Sequence, residues 1–172
     1  MALLNISQIN SLADDQFVSI FGNVIELCPD AAVQVKKKGP FRTVSELCEA
    51  FHKYLDDLTE EGKLSILKLH PDLAGNLTRL SELTRESAGE QRSAGLTELS
   101  DWHVNVIQSS NQRYKTKFGF PFIICARENK FQSIIEGLQH RYDNTREQEI
   151  ATGINEVKKI CKLRILDIAQ LD

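Results

Sequence analysis

A histidine followed by a proline is the first candidate for chemistry in this sequence. His70 and Pro71 come directly after a short stretch of helically spaced apolar residues. Because proline disfavours a helical backbone at the residue before it, we expect that helix to end at His70. Histidine titrates near neutral pH, as proton transfer requires. Two interpretations stay open: an acid–base residue at a rigid helix end, or a histidine that only interacts with the last carbonyl groups of the helix.

The segment from Ser87 to Gln91 is the second candidate. Ser87 and Glu90 have the S-x-x-E spacing of a capping box, which predicts a helix that begins at Ser87. A helix start presents N–H groups that have no partner inside the helix. The small residues Ala88 and Gly89 would let a ligand approach those groups, with Glu90 as a general base or hydrogen-bond acceptor. The alternative is that the capping box only stabilises the helix.

The last predicted helix, residues 146–170, carries an arginine on its apolar face. At about 100° per residue, one stripe of this helix contains Ile150, Ile154, Val157, Cys161, Arg164 and Ile168. An unpaired buried charge is very costly, so Arg164 must have partners. These are either an internal salt bridge or solvent at the rim of the helix, or a bound anion that matches the guanidinium fork.

The four cysteines do not indicate a metal site. They are Cys28, Cys48, Cys125 and Cys161, and none forms a C-x-x-C pair. Each lies beside apolar residues, which is typical of buried free thiols in a reducing compartment.

Apolar side chains recur every three or four residues along most of the chain, which predicts helices. We expect helices over residues 11–22, 43–58, 97–118 and 146–170, and shorter ones after Gly62 and over 132–139. Thr43 and Glu46 form a second capping box. Around residues 28–30 we expect a break, and residues 36–40 read as a basic loop. Residues 120–126 read as extended because Pro121 is excluded from a helix interior.

The length suggests one domain spanning residues 1–172. The predicted helices and the short extended segment near 120–126 make it an all-α helical bundle. The net charge of -3 argues against nucleic-acid binding, which usually needs a basic surface. No apolar run is long enough to cross a membrane, and the first residues lack the pattern of a signal peptide.

Four motifs, taken together and in this order, resemble one enzyme family. They are Leu69-His70-Pro71-Asp72-Leu73, Ser87-x-x-Glu90-Gln91, Phe118-Gly119-Phe120-Pro121-Phe122 and Glu156-Val157-x-x-Ile160-x-x-Leu163-Arg164. The sequence is thereby similar, over nearly its whole length, to 2-oxo-4-hydroxy-4-carboxy-5-ureidoimidazoline (OHCU) decarboxylases of urate degradation. The resemblance implies an all-helical carboxy-lyase that forms (S)-allantoin and CO₂.

The same resemblance implies a role for each site residue. It makes His70 and Glu90 the catalytic residues. The substrate contacts that it implies are Pro71, Ser87, Ala88, Gly89, Glu90, Gln91, Phe122, Ile123, Ile124, Cys125, Ala126 and Arg164. The alternative function is a helical module that binds a partner or a purine metabolite without turnover.

The resemblance also implies that the enzyme needs no metal and no organic cofactor, because the ring imine of the substrate can accept the electron pair left by CO₂. It implies a homodimer and a peroxisomal location. The chain ends in Gln170-Leu171-Asp172, which is not a peroxisomal targeting tripeptide, so the cytoplasm is the alternative compartment.

Overall fold

The computed structural model describes residues 2–74 and 83–172, and over these residues the fold is all-α, as the sequence predicts. A 3-10 helix spans Ala126–Glu128. The described α-helices are α1 (Ile6–Asn10), α2 (Asp14–Phe21), α3 (Pro29–Lys36), α4 (Val44–Asp56), α5 (Glu60–Lys68), α6 (Arg85–Ser93), α7 (Asp101–Phe118), α8 (Phe131–Tyr142) and α9 (Arg146–Leu166).

The chain divides into two compact units. Unit 1 consists of Met1–Lys63 and Lys158–Asp172, and unit 2 is the continuous segment Leu64–Val157. The boundary at residues 157 and 158 falls inside α9, so this helix contributes residues to both units. A single domain over residues 1–172 stays a prediction.

Unit 1 is built around three phenylalanines that are almost completely buried. The Phe17 and Phe21 rings lie 4.7 Å apart, and Phe51 of α4 stacks near Phe17 at 6.5 Å. The expected break near residue 29 is wrong, because Pro29 is the first residue of α3. Proline is well tolerated there, since the N–H that it lacks would have no partner inside the helix.

Two other local predictions for unit 1 are corrected. Thr43 does cap α4, since its Oγ1 accepts from Glu46 N at 3.0 Å. The Glu46 carboxylate, however, accepts from Arg42 N at 2.8 Å, one residue before the expected partner. Gly62 lies inside α5, although a glycine costs a helix about 1 kcal/mol relative to alanine.

Unit 2 has a second aromatic cluster around α7. The most buried residues of this helix are Ile107, Asn111, Tyr114 and Phe118. The helix begins at Asp101 and not near residue 97, because the Ser100 hydroxyl caps it. Gly119 ends it in the left-handed region with φ +84°, as expected for a C-terminal glycine.

The segment after Gly119 has no regular structure up to Cys125, which has an extended backbone. The segment is therefore outside the α-helices, as predicted, and an extended backbone over residues 120–124 stays a prediction. One part is corrected: Ala126 is already the first residue of the 3-10 helix. In the part of the chain that the structure describes, no helix is both long and apolar enough to span a membrane.

Candidate functional site

His70 lies at the end of α5, two residues after its last helical residue. The His70 N–H donates to Leu67 O at 3.3 Å, and its ring Nδ1 is 3.1 Å from Ile66 O. A carbonyl oxygen can only accept, so Nδ1 carries the proton of this bond. In the neutral ring, Nε2 is then the basic nitrogen. The ring is fixed in orientation and 9% exposed, which suits an acid–base group.

The helix that carries Ser87 to Gln91 has its cap three residues earlier than predicted. Thr84 is the cap, and its Oγ1 accepts from Ser87 N at 3.2 Å. The Ala88 N–H donates to Thr84 O at 2.9 Å. The expectation that Ala88 and Gly89 offer helix-start N–H groups to a ligand is therefore wrong, because these residues belong to the helix interior.

Gly89 nevertheless lies on an open side of α6. A methyl group built on its Cα would meet no atom of the described residues within 4 Å. Among the described residues, nothing thus covers the turn of helix around Gly89, whereas Ser87 and Gln91 are buried.

Glu90 forms an ion pair that the sequence did not reveal. Its Oε2 is 3.6 Å from Arg127 Nη2, and the side chains of Glu90 and Arg127 are 11% and 25% exposed. Arg127 follows the extended segment directly, so this pair joins the two parts of unit 2 that hold predicted substrate contacts. The sequence analysis predicted Glu90 as a site residue. It did not predict Arg127, because a single arginine in a short loop has no distinguishing pattern.

Gln91 binds main chain close to His70. Its Oε1 accepts from Ala74 N at 2.9 Å, and its Nε2 donates to Asp72 O at 3.1 Å. Asn111 of α7 donates to the carbonyl between them, Leu73 O, at 2.7 Å. The side chains of α6 and α7 therefore fix the main chain that follows Pro71.

The extended segment is anchored at two of its main-chain groups by buried side chains. Cys125 N donates to Glu156 Oε1 at 3.0 Å, and Arg141 Nη1 donates to Ile123 O at 2.7 Å. The resemblance implied that Phe122, Ile123, Ile124, Cys125 and Ala126 line the pocket partly through main-chain groups. Of these five residues only Ile124 is more than slightly exposed.

Burial raises the pKa of the Cys125 thiol to about 11, with a smaller contribution from Glu128. Cys125 is therefore a neutral thiol near neutral pH. All four cysteines are free, and within residues 2–74 and 83–172 no group of three His, Cys, Asp or Glu side chains could hold a metal ion.

Arg164 belongs to unit 1, and its side chain is 2% exposed. Its Nη2 is 3.0 Å from Glu26 Oε2, and its Nη1 donates to Asn23 O at 2.8 Å. Its burial on the apolar stripe of α9 is confirmed, and an internal salt bridge exists. A contact of Arg164 with substrate stays a prediction.

The other predicted site residues all belong to unit 2. A cavity of about 320 Å³ lies in unit 1, next to Asn10, Phe17 and Lys36, and no predicted site residue lines it. The described contacts bring Gln91 to residues 72–74, and Glu90 to Arg127 beside Ala126.

Comparison with solved structures supports this helical architecture. A crystal structure of an OHCU decarboxylase in the presence of (S)-allantoin matches with a TM-score of 0.68 and 24% identity, over 91% of this chain and 97% of that one. A crystal structure of an (S)-allantoin synthase matches with a TM-score of 0.78 and 23% identity, over 97% of this chain and 54% of that one. At these identities the likeness concerns the fold.

Comparison of sequences identifies the family. Proteins named 2-oxo-4-hydroxy-4-carboxy-5-ureidoimidazoline decarboxylase are 42% identical in Amia calva, over 97% of this chain and 95% of that protein, and 42% identical in Xenopus laevis, over 96% and 94%. One from Haloferax volcanii is 34% identical over 95% of both chains. The family model for OHCU decarboxylase matches residues 10–166. With near-complete coverage in each comparison, the chain belongs to the OHCU decarboxylase family.

Proposed function

We propose that this chain decarboxylates 2-oxo-4-hydroxy-4-carboxy-5-ureidoimidazoline to (S)-allantoin and CO₂, with His70 as the acid–base residue. One observation carries the role of His70. The bond from its Nδ1 to Ile66 O fixes the tautomer in which Nε2 is the basic nitrogen. The ring therefore has a defined orientation and can exchange a proton at one atom.

The chemistry requires few groups. When the bond to the carboxylate breaks, its electron pair stays on the former carboxyl-bearing carbon, and the neighbouring ring imine accepts it. The resulting enol-like species becomes the ketone, and a proton is added to the ureido-bearing carbon. Only delivery to one face gives a single enantiomer, so a rigidly oriented acid–base group such as His70 is needed.

We assign the substrate contacts in unit 2 to Pro71, to the Ser87–Glu90 turn of α6 and to the segment Phe122–Ala126. Glu90 either accepts from substrate N–H groups or orients His70, and Arg127 fixes its carboxylate. The open side of Gly89 supports a close approach to this turn. For Arg164 the assignment rests on the family resemblance, because its described contacts are with Asn23 and Glu26.

Replacement of His70 by asparagine tests the proposal. Removal of a general acid–base group typically lowers the rate by about 10²–10⁴-fold. We expect His70→Asn to lower kcat by at least 10²-fold and to leave the far-ultraviolet spectrum unchanged. The measurement is circular dichroism on freshly generated substrate, because spontaneous decay gives racemic allantoin and the enzyme gives an optically active product.

His140→Asn is the matched control, since His140 is an exposed histidine of α8 in the same unit. It should retain wild-type kcat. If His70→Asn keeps more than about a tenth of kcat, the acid–base assignment is wrong, because the loss is smaller than such a removal produces. Binding of substrate by the wild type without optically active product would instead indicate a binding module.

The assembly and the compartment are further parts of the proposal, and both rest on the family resemblance. We propose a homodimer, which light scattering would show as twice the mass of one chain. We propose a peroxisomal location, with the cytoplasm as the alternative. Imaging of a fluorescent fusion at the amino terminus distinguishes the two compartments.

A further inference from the structure

The main chain of residues 72–74 follows the His70-Pro71 pair and belongs to no helix or strand. Buried main-chain groups outside regular structure need partners from elsewhere. Here three successive residues receive them from side-chain amides. Gln91 binds Asp72 O and Ala74 N, and Asn111 binds Leu73 O.

The two amides are themselves firmly placed. Gln91 is 3% exposed on α6, and Asn111 is 5% exposed on the buried face of α7. One turn further along α7, Lys115 Nζ is 3.4 Å from Asp72 Oδ2. Side chains of two helices that are separate in sequence thus bind the same three residues.

The backbone conformation of Ala74 explains why these hydrogen bonds to residues 72–74 are needed. Its φ is +48°, in the left-handed region. This region is unfavourable for any residue with a Cβ atom, because the Cβ approaches the following carbonyl oxygen. Such a conformation persists only where the surroundings determine it, and it occurs often at functional sites.

We infer that Gln91 and Asn111 are positioning residues, whose amides fix residues 72–74 and thereby the orientation of His70 and Pro71. The inference rests on the proposed acid–base role of His70. It gives Gln91 a role different from the substrate contact that the resemblance implied, since both ends of its amide already bind main chain.

The kinetic test uses Asn111→Leu, Gln91→Leu and the double variant. A misplacement of about 1 Å can lower a rate by about 10²-fold. We expect each single variant to lower kcat at least tenfold and to leave KM within about threefold. The double variant should lose no more than about threefold beyond the worse single variant, because both amides act on the same segment.

Gln112→Leu is the matched control for Asn111→Leu. Gln112 is the next residue on α7, it is exposed, and its amide donates to Thr116 within the same helix. It should keep kcat and KM within about twofold, because surface substitutions rarely matter.

A second readout does not depend on activity. In ¹³C-histidine spectra, the His70 signal is assigned by its loss in His70→Asn. Asn111→Leu and Gln91→Leu should shift or broaden this signal and leave that of His140 in place. If one variant does not fold, the other carries the test.

Ala74→Gly is the rescue variant. Glycine adopts the left-handed region without steric cost, so the segment needs less side-chain support. Added to Asn111→Leu, Ala74→Gly should raise kcat again by at least about threefold. If Asn111→Leu lowered kcat only by destabilising the fold in general, Ala74→Gly would not restore it.

If kcat and the His70 signal are unchanged in Asn111→Leu and Gln91→Leu, the inference is wrong. A rise in KM at constant kcat in Gln91→Leu would also overturn it and would make Gln91 a substrate contact. If His70→Asn stays active while the His70 signal of Asn111→Leu and Gln91→Leu still differs from that of the wild type, the acid–base role fails and the positioning of His70 stands.

Discussion

In the part of the chain that the structure describes, both compact units contain a buried ion pair between an arginine and a glutamate. In unit 1, Arg164 Nη2 is 3.0 Å from Glu26, and in unit 2, Arg141 Nε is 2.9 Å from Glu149. In both pairs the arginine also donates to a main-chain carbonyl, Asn23 O in one and Ile123 O in the other. The same device therefore fixes an irregular segment in each unit.

The pairs differ in how their charges are compensated. Glu149 also accepts from Tyr114 OH and from Asn144 Nδ2, and Arg141 lies over the Phe122 ring at 4.3 Å. Glu26 is also contacted by Asn23 Nδ2, at 3.5 Å. A buried arginine is thus no sign of a ligand by itself, since the described hydrogen bonds of Arg141, from Nε and Nη1, both go to protein groups.

Among the changes that test this comparison, Glu149→Ala should cause the largest loss of unfolding free energy. Loss of one partner of a buried ion pair typically costs about 3–5 kcal/mol, because the other charge stays buried. Glu149 accepts hydrogen bonds from three side-chain donors, so we expect Glu149→Ala to lower the free energy of unfolding more than Glu26→Ala does. Urea unfolding measures both. The exposed Glu147→Ala on α9 is the control, and equal losses for the two buried glutamates would erase the difference between the pairs.

Tyr114→Phe sharpens the comparison by removing one donor and leaving the ion pair. Burial and the bond to Glu149 both raise the pKa of Tyr114, so its hydroxyl is protonated and donates throughout the neutral range. Hydrogen bonds to charged groups contribute about 1.5–3 kcal/mol, and we expect a loss at the lower end of this range in urea unfolding. A loss below about 0.5 kcal/mol would show that Arg141 and Asn144 satisfy Glu149 without the hydroxyl.

Arg164→Lys separates the proposed substrate role from the ion pair. Lysine keeps the charge and loses the planar fork, so it cannot serve Glu26 and Asn23 O as arginine does. If Arg164 binds substrate, KM should rise about tenfold, or about 1.4 kcal/mol, with a smaller loss of unfolding free energy.

Arg146→Lys on the same helix is the control for Arg164→Lys, because Arg146 is largely exposed and its described bond is to Phe118 O. It should leave KM and stability unchanged. An unaltered KM in Arg164→Lys with a large fall in Tm would make the Arg164–Glu26 pair as structural as its counterpart.

The smallest expected effect comes from His52, a half-buried histidine whose charge depends on pH. Burial lowers the pKa of His52, and its Nε2 bonds Lys158 O. The unfolded chain binds a proton near pH 6.5 and the folded one only at lower pH, so stability falls as pH drops below about 6.5.

In His52→Gln, this part of the pH dependence should disappear, as measured by urea midpoints between neutral and mildly acidic pH. The arginines of the two ion pairs do not titrate in this range, so they cannot produce it. A wild-type slope that persists in His52→Gln would assign the effect to another histidine.

The contrast between the two arginines also shows what sequence can predict. Arg164 interrupts an apolar stripe in the middle of a helix, so its burial could be predicted from periodicity. Arg141 is in the last turn of α8, where a cation that favours the helix dipole is ordinary and usually exposed. Asn111 was missed for a similar reason, because a polar residue on a helix is expected to face solvent.

The start of α6 shows a different limit. Thr84 and Ser87 are three residues apart, and both types cap helices well. Local spacing favoured Ser87 because Glu90 completes a capping box, yet the helix begins after Thr84. Helix type and the rest of the fold class follow from periodicity, whereas the register of a start depends on contacts made elsewhere in the fold.

Gly89 has a consequence for attempts to make this protein more robust. It lies within α6, where alanine would favour the helix by about 1 kcal/mol, and the space beside it would accept the methyl group. By helix propensity and by the space that the described residues leave, alanine is expected to stabilise the protein at this position. A methyl group there would stand on the face that we assign to substrate. Gly89→Ala would therefore be expected to raise stability and to lower activity.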